Sequence, residues 1–368
     1  MLRPVVSPIT PRRQHADACP GVLQVHAAAD GGLARVRIPG GWLTGAQLAA
    51  VASAGNGLEI TSRGNLQVRG LAPGAETAFA AVLSEAGLLP STTHERVRNI
   101  VASPLTGRDG HGVLDARPLV AELDRALCAD PVLADLPGRF LFALDDGRGD
   151  VAGLGADVAI HGTAVLLAGR DSGLRVQPAD AVPVLLAAAH AFLAERGDEW
   201  RLSELDSGPG RVARRLGGSI GAPVSVSGRP PIGVIDQVDG RVAIGAAVPL
   251  GRLTPEQISV LSGQSWVCVT PWRGVVLADL PDADLVESLV AAGFAVEPGS
   301  PWAGVTACAG RPGCARSLAD VRADALAFHS GRPAPSLPVH WAGCERACGR
   351  PTGAHELKLA TEDGYESR

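Results

Sequence analysis

The clearest pattern of apolar and polar positions along the chain occurs twice. Over residues 22–73, two alternating runs flank Asp30-Gly31, an apolar-periodic segment follows Thr44, and two more runs flank Arg63-Gly64. Residues 232–281 read the same way, with Asp239-Gly240, Thr254 and Arg273-Gly274 in the corresponding places. Alternation of period two interrupted by Asp-Gly predicts a β-hairpin. A Thr N-cap before the next segment predicts a helix, and the runs around Arg-Gly predict two further strands. At an offset of 210, Leu43-Thr44 matches Leu253-Thr254, Gln47 matches Gln257, and Arg63-Gly64 matches Arg273-Gly274. More weakly, LPGRFLFA at 136–143 resembles LPVHWAGC at 337–344, an offset of 201. The chain therefore reads as two pseudo-equivalent halves divided near residue 225, at the loop Ser-Val-Ser-Gly-Arg-Pro-Pro. Each half holds a small βαβ-type unit and a larger α+β unit, and matching loops of such halves commonly converge on a site.

Composition narrows the chemistry. The 368 residues carry a formal charge of −5 and are 46% hydrophobic, enough for two or three domains with real cores. With 46 glycines and 28 prolines the chain is loop-rich but below the disordered range. No Lys/Arg run gives a footprint for nucleic acid. No run of roughly 18–20 apolar residues predicts a membrane span, and the start, Met-Leu-Arg-Pro-Val-Val, lacks a signal-peptide core. These features predict a soluble, cytoplasmic protein. Of the 33 basic residues only Lys358 is lysine, and Gly-Lys-Ser/Thr is absent, which excludes a P-loop. The single tyrosine, Tyr365, lies in the tail, so phenol acid–base chemistry is not expected. Anion recognition must then fall to arginine, whose planar fork suits carboxylates.

Seven cysteines occur, of which Cys19, Cys128 and Cys268 stand alone. Cys308, Cys314, Cys344 and Cys348 form C-x5-C, a gap of 29 residues, and C-x3-C. A reducing compartment disfavours disulfides, and structural zinc usually takes tighter pairs at both ends. Four thiolates from two Gly- and Pro-rich loops suit an iron–sulfur cube better, with zinc and incidental cysteines as weaker readings. Residues 317–329 read as a helix, which places Cys314 at its N-terminus, and Arg346 and Arg350 flank the second pair.

This cysteine pattern resembles that of the sulfite and nitrite reductases. So do Arg-Ile-Pro-Gly-Gly at 37–41 and Leu-Glu-Ile-Thr-Ser-Arg-Gly-Asn-Leu-Gln at 58–67. A narrower likeness, to the precorrin-3B synthases of aerobic cobalamin biosynthesis, is carried by four segments. They are Ala-Cys-Pro-Gly (18–21), Glu-Arg-Val-Arg-Asn-Ile-Val-Ala-Ser-Pro-Leu-Thr-Gly (95–107), Leu-Pro-Gly-Arg-Phe with Leu-Asp-Asp-Gly (136–147), and Gly-Cys-Glu-Arg-Ala-Cys-Gly-Arg-Pro (343–351). The resemblance covers most of residues 18–365. It implies an α+β fold of pseudo-twofold, sulfite/nitrite-reductase-like architecture. Two ferredoxin-like half-domains (18–90 and 226–290) would accompany two larger α+β units (91–225 and 291–368), the last bearing the cluster and shortened relative to the reductases.

The resemblance also implies a [4Fe–4S] cluster on Cys308, Cys314, Cys344 and Cys348, with an additional iron centre, non-haem or sirohaem. Arg35, Arg37, Arg63, Arg98, Asn99 and Arg139 fall where such proteins grip a tetrapyrrole and its substrate. The reductases' Lys-Phe-Lys becomes Arg139-Phe140-Leu141, which removes one anion-binding lysine. That departure suits a large macrocycle better than a small anion, and the narrower resemblance implies precorrin-3A and dioxygen as substrates of a monooxygenase, fed by an external donor, an NADH-linked reductase or a ferredoxin. The alternative is a sirohaem-dependent sulfite or nitrite reductase. The catalytic residues are not identified. Three decoys weigh less. Gly208-Pro209-Gly210 with Ala213 mimics a dinucleotide fingerprint without its strand. Gly217-Gly218-Ser219-Ile220-Gly221 mimics a nucleophile elbow without its helix. Asp145, Asp146 and Asp150 read as a turn before they read as a metal site.

Overall fold

The computed structural model describes residues 17, 19–224, 226, 228–351 and 353–368. The N-terminal segment read above for a signal peptide lies outside these, as do Ala18, Ser225 and Ser227.

The repeated segments build two five-stranded antiparallel sheets. The first runs, in spatial order, His26–Ala28, Gly31–Val36, Leu66–Leu71, Gly57–Ile60 and Arg252–Leu253. The second runs Gly233–Asp236, Val242–Ala247, Gly274–Leu280, Val267–Val269 and Trp42–Leu43. Each half thus lends a short edge strand to the other's sheet, through Arg252↔Glu59 and Val267↔Leu43 pairings. Exchange of this kind protects both edges. It also gives the halves one shared core, in which Leu43, Leu48, Leu58 and Leu66 meet Ile244, Leu253, Leu261 and Val267. The predicted helices are Gly45–Ala52 and Pro255–Ser262. Both open with a reciprocal capping box, Thr44 with Gln47 and Thr254 with Gln257. Gly41 sits at φ +81° where a Cβ would lie 2.2 Å from the Val269 carbonyl oxygen, so only glycine lets the halves approach this closely.

The two larger units also correspond. Ile100–Ala102, Phe142–Asp145 and Val158–His161 pair in parallel and are continued by the antiparallel Ala164–Leu167 and Arg170–Arg175. Val305–Ala307, Val339–Ala342 and Glu356–Thr361 repeat the parallel trio, followed by Gly364–Ser367. Ser103 N donates to Leu144 O in one unit and Cys308 N to Trp341 O in the other. These equivalent bonds shift the match in this region from an offset of 201 to 341 − 144 = 197.

Helix Pro178–Glu195 corrects the membrane reading of the sequence: its 18 residues, at mean hydropathy 1.2, are long and apolar enough to span a bilayer. Here it packs Leu185, Ala188, Ala189 and Phe192 into the core of the first parallel sheet.

Candidate functional site

Topology explains why the two cysteine pairs meet. Val305–Ala307 and Val339–Ala342 are parallel neighbours, so their C-terminal ends emerge at one edge of the sheet. Cys308 follows the first strand directly, and Cys344 lies two residues beyond the second. Gly343 N donates to Cys308 Sγ at 3.2 Å, a contact that favours a thiolate. Burial raises the Cys348 thiol above its ordinary value, and the nearby Cys308, Cys344 and Cys314 thiols push the same way against Arg346. The other three predicted ligands therefore lie within electrostatic reach of Cys348. Among the described residues no group of three or more His, Cys, Asp or Glu is spaced to hold a metal ion. A cube, larger than one ion, takes its thiolates from wider apart than zinc does. Cys314 is not at a helix N-terminus: the helix is Val321–His329, capped by Asp320, six residues after Cys314. Asp320 supplies the cap that sequence periodicity had extended back to 317.

A second assembly is cationic. Arg35 on Gly31–Val36, Arg37 just beyond it, and Arg63 in the turn before Leu66–Leu71 gather beside Arg139 and Arg201. Burial, reinforced by Arg35, lowers the Arg37 guanidinium to about 9. Burial and then Arg201 lower Arg63 to about 10. Arg37 is 2% exposed; its Nε donates to the Arg96 carbonyl and, among the described residues, its Nη1 has no partner. Arg35 Nη2 donates to Gln67 Oε1 at 2.7 Å, while its buried Nε also lacks a partner among them. Among the described residues neither arginine has a carboxylate within 4.0 Å, nor does Arg63. Concentrated buried positive charge with orphaned donors is costly unless an anion completes it.

The remaining predicted residues go elsewhere. Arg98 is 4% exposed and forks onto Asp124 with two bonds of 2.7 Å, its third nitrogen reaching the Leu88 carbonyl. All three nitrogens are thus engaged within the protein. Asn99 is likewise consumed, donating to Arg96 O and Gly138 O and accepting from Asn65. Arg139 is exposed, with its guanidinium 4.8 Å from the centre of the Trp200 ring. Leu141 is 3% exposed in a small apolar cluster with Val101, Ala143, Leu166 and Trp272. Sequence reading missed Arg201, which pairs with buried Asp157 at 2.8 Å, and Cys19, whose thiol lies near Arg35, Arg37 and Arg63. Neither carried a spacing signal. Glu59 and Gln67 were visible only as letters inside the 58–67 motif.

In the first larger unit the loop corresponding to Cys344–Cys348 holds Asp145, Asp146 and Asp150. Asp145 accepts backbone N–H groups from Gly147, Gly149, Val151 and Ala152, plus a ring nitrogen of His161. Its oxygens are spent on the turn, as the plainer reading expected. Burial pushes Asp150 up to about 7, with Asp145 and Asp146 adding to the shift and Ser103 and Arg148 opposing it. Since the unfolded value is about 3.9, the folded state holds this proton more tightly. That stabilisation is complete below pH ~4 and lost as pH rises through 7, on the order of 4 kcal/mol in all. Thermal unfolding of wild type and Asp150→Asn between pH 4 and 8 checks this: the variant should lose most of that slope. An unchanged slope would assign the proton elsewhere.

No family model matches the chain. A precorrin-3B synthase from a Sinorhizobium species is 29% identical, over 95% of this chain and 81% of its own length. The ferredoxin–nitrite reductase of Synechococcus elongatus is also 29% identical, over 87% of this chain and 74% of its own. The structure of the Mycobacterium tuberculosis NirA protein superposes with a TM-score of 0.71 at 23% identity, covering 91% of this chain and 73% of its own. The chain is an oxidoreductase of nitrite/sulfite-reductase-like fold, homologous to precorrin-3B synthase and to the ferredoxin-dependent nitrite reductases.

Proposed function

We propose that the chain is a precorrin-3B synthase, which hydroxylates precorrin-3A at C20 while an acetate side chain closes a γ-lactone at C1. One atom of dioxygen enters the macrocycle and the other leaves as water, with two electrons from an external donor such as a ferredoxin or an NADH-linked reductase. The observation that carries this reading is the arginine group, whose buried Arg35 Nε and Arg37 Nη1 await an acceptor. A tetrapyrrole with many carboxylates supplies several acceptors at once, and guanidinium forks fix its orientation. Arg35, Arg37 and Arg63 grip the carboxylates; Arg139 extends the positive field.

Leu141 separates this reading from its alternative. Reduction of a small oxyanion calls for dense positive charge at the anion. Leu141 instead places a buried apolar side chain, packed with Trp272, where a second cation would stand. Cys308, Cys314, Cys344 and Cys348 would hold a [4Fe–4S] cluster, which when bound relays single electrons. No described group of side chains fits a separate mononuclear iron, and none is assigned. A reducing compartment, the cytoplasm, is consistent with this set.

Two measurements test the proposal. The purified holoprotein should show the broad visible shoulder of a lone cluster without sirohaem bands. It should also convert precorrin-3A to precorrin-3B under oxygen. Strong sirohaem absorption together with reduction of sulfite or nitrite at an enzymatic rate would instead establish the reductase.

A further inference from the structure

A row of side chains on one sheet joins the cysteine loops to the arginine group. Arg35 is directly opposite Gln67, and Gln67 directly opposite Glu59, on three adjacent strands. Opposed residues share a face of the sheet, so these side chains can touch in sequence. Arg35 Nη2 donates to Gln67 Oε1 at 2.7 Å, and Gln67 Nε2 donates to Glu59 Oε2 at 2.9 Å. The other oxygen of Glu59 forms an ion pair with Arg322 Nη1 at 2.6 Å. Arg322 Nε then donates to the carbonyl of Cys308 at 3.1 Å. A weaker branch passes through Arg69, whose main partner is Asp30, with two bonds of 2.8 Å; it lies 3.8 Å from Glu59 and donates to the carbonyl of Gly313, beside Cys314.

The side chains of Glu59, Arg69 and Arg322 are 11%, 8% and 14% exposed, so water screens these charges little. Gln67 is held at both ends. Flipping its amide would set N–H against N–H at Arg35 and oxygen against oxygen at Glu59. Glu59 is therefore a carboxylate shared by the guanidiniums that reach the cysteine loops and the amide that orients Arg35.

We propose that Glu59 is a positioning residue that couples the redox state of the cluster to anion binding by Arg35. This rests on the reading that the four cysteines hold a cluster and that the arginines take a tetrapyrrole carboxylate. Reduction adds negative charge at the cysteine loops and draws Arg322 towards it. Glu59, less neutralised, then holds Gln67 and Arg35 more strongly and competes with the bound carboxylate. The reduced protein should accordingly bind a polycarboxylate less tightly than the oxidised one, and by linkage bound ligand should lower the cluster's reduction potential.

The test uses the holoprotein with uroporphyrin, an octacarboxylate, titrated by fluorescence quenching before and after reduction by dithionite. Wild type should bind the oxidised form roughly 5- to 10-fold more tightly. Glu59→Gln and Gln67→Met should bring that ratio close to one, and Glu59→Asp should keep part of it. Gln67→Met breaks the row without removing a charge, and it carries the test if Glu59→Gln does not fold. A purely structural role would weaken binding equally in both redox states and leave the ratio intact, which would overturn the proposal. So would a wild-type ratio of one. Absence of cluster absorbance or of uroporphyrin binding in wild type would instead remove the functional reading on which the proposal stands.

Discussion

Serine in place of any one of Cys308, Cys314, Cys344 or Cys348 should abolish the iron–sulfur absorbance of the purified protein and its bound sulfide. Serine at Cys19, Cys128 or Cys268 should leave both intact. The four ligands come from two loops at one edge of a small parallel sheet, so a cluster would add a staple between the loops beyond the strand pairing beneath them. Loss of one thiolate should then lower the unfolding temperature as well, because the binding energy of such a group is partly folding energy. Cys268 makes the sharpest control. It is 1% exposed, and burial holds its thiol far above its ordinary value, so it stays protonated and inert. Iron and sulfide analysis of the seven single variants checks the assignment. Retention of full cluster content in all four ligand variants would refute it.

The duplicated units were legible because their signals are local. A Thr followed three residues later by Gln makes a capping box wherever a helix starts, and Asp-Gly between alternating runs makes a hairpin. What sequence did not show is what depends on the partner half. Trp42–Leu43 and Arg252–Leu253 are too short to announce themselves as strands, and they form only because the opposite sheet offers an edge. Arg98 is a second instance. Its motif resembles that of a binding residue, but whether a guanidinium faces a ligand or an internal carboxylate depends on Asp124, 26 residues away on a helix. Glu59 is a third, since its importance comes from Arg322, and no periodicity links positions 59 and 322. Helix Pro178–Glu195 is a fourth: no apolar run there predicted a span, yet its 18 residues are long and apolar enough for one, and only its packing shows it in a core.

Arg37 and Arg98 should therefore part company on mutation, although both are buried arginines from family-like motifs. Arg37→Ala removes a donor that the protein itself leaves unpaired. A tetrapyrrole carboxylate would then be left desolvated and alone, at a cost on the order of 2–4 kcal/mol of binding, or roughly 30- to 1000-fold in affinity. Stability should fall less than in Arg98→Ala, because losing one of several mutually repelling guanidiniums offsets part of what its packing and its bonds to the Arg96 and Pro20 carbonyls contribute. Arg63→Ala should weaken uroporphyrin binding in the same way. Arg-to-Lys at either position should recover only part, since an ammonium cannot reproduce the fork. Arg98→Ala should do the opposite. It strands the half-buried Asp124 without its bidentate partner, which should cost on the order of 2–3 kcal/mol of stability. Ligand affinity of the folded fraction should stay near the wild-type value. Calorimetric unfolding and uroporphyrin titration on the same preparations separate the two effects. If Arg98→Ala lost affinity while keeping its melting temperature, and Arg37→Ala did the reverse, the two residues would have to exchange roles.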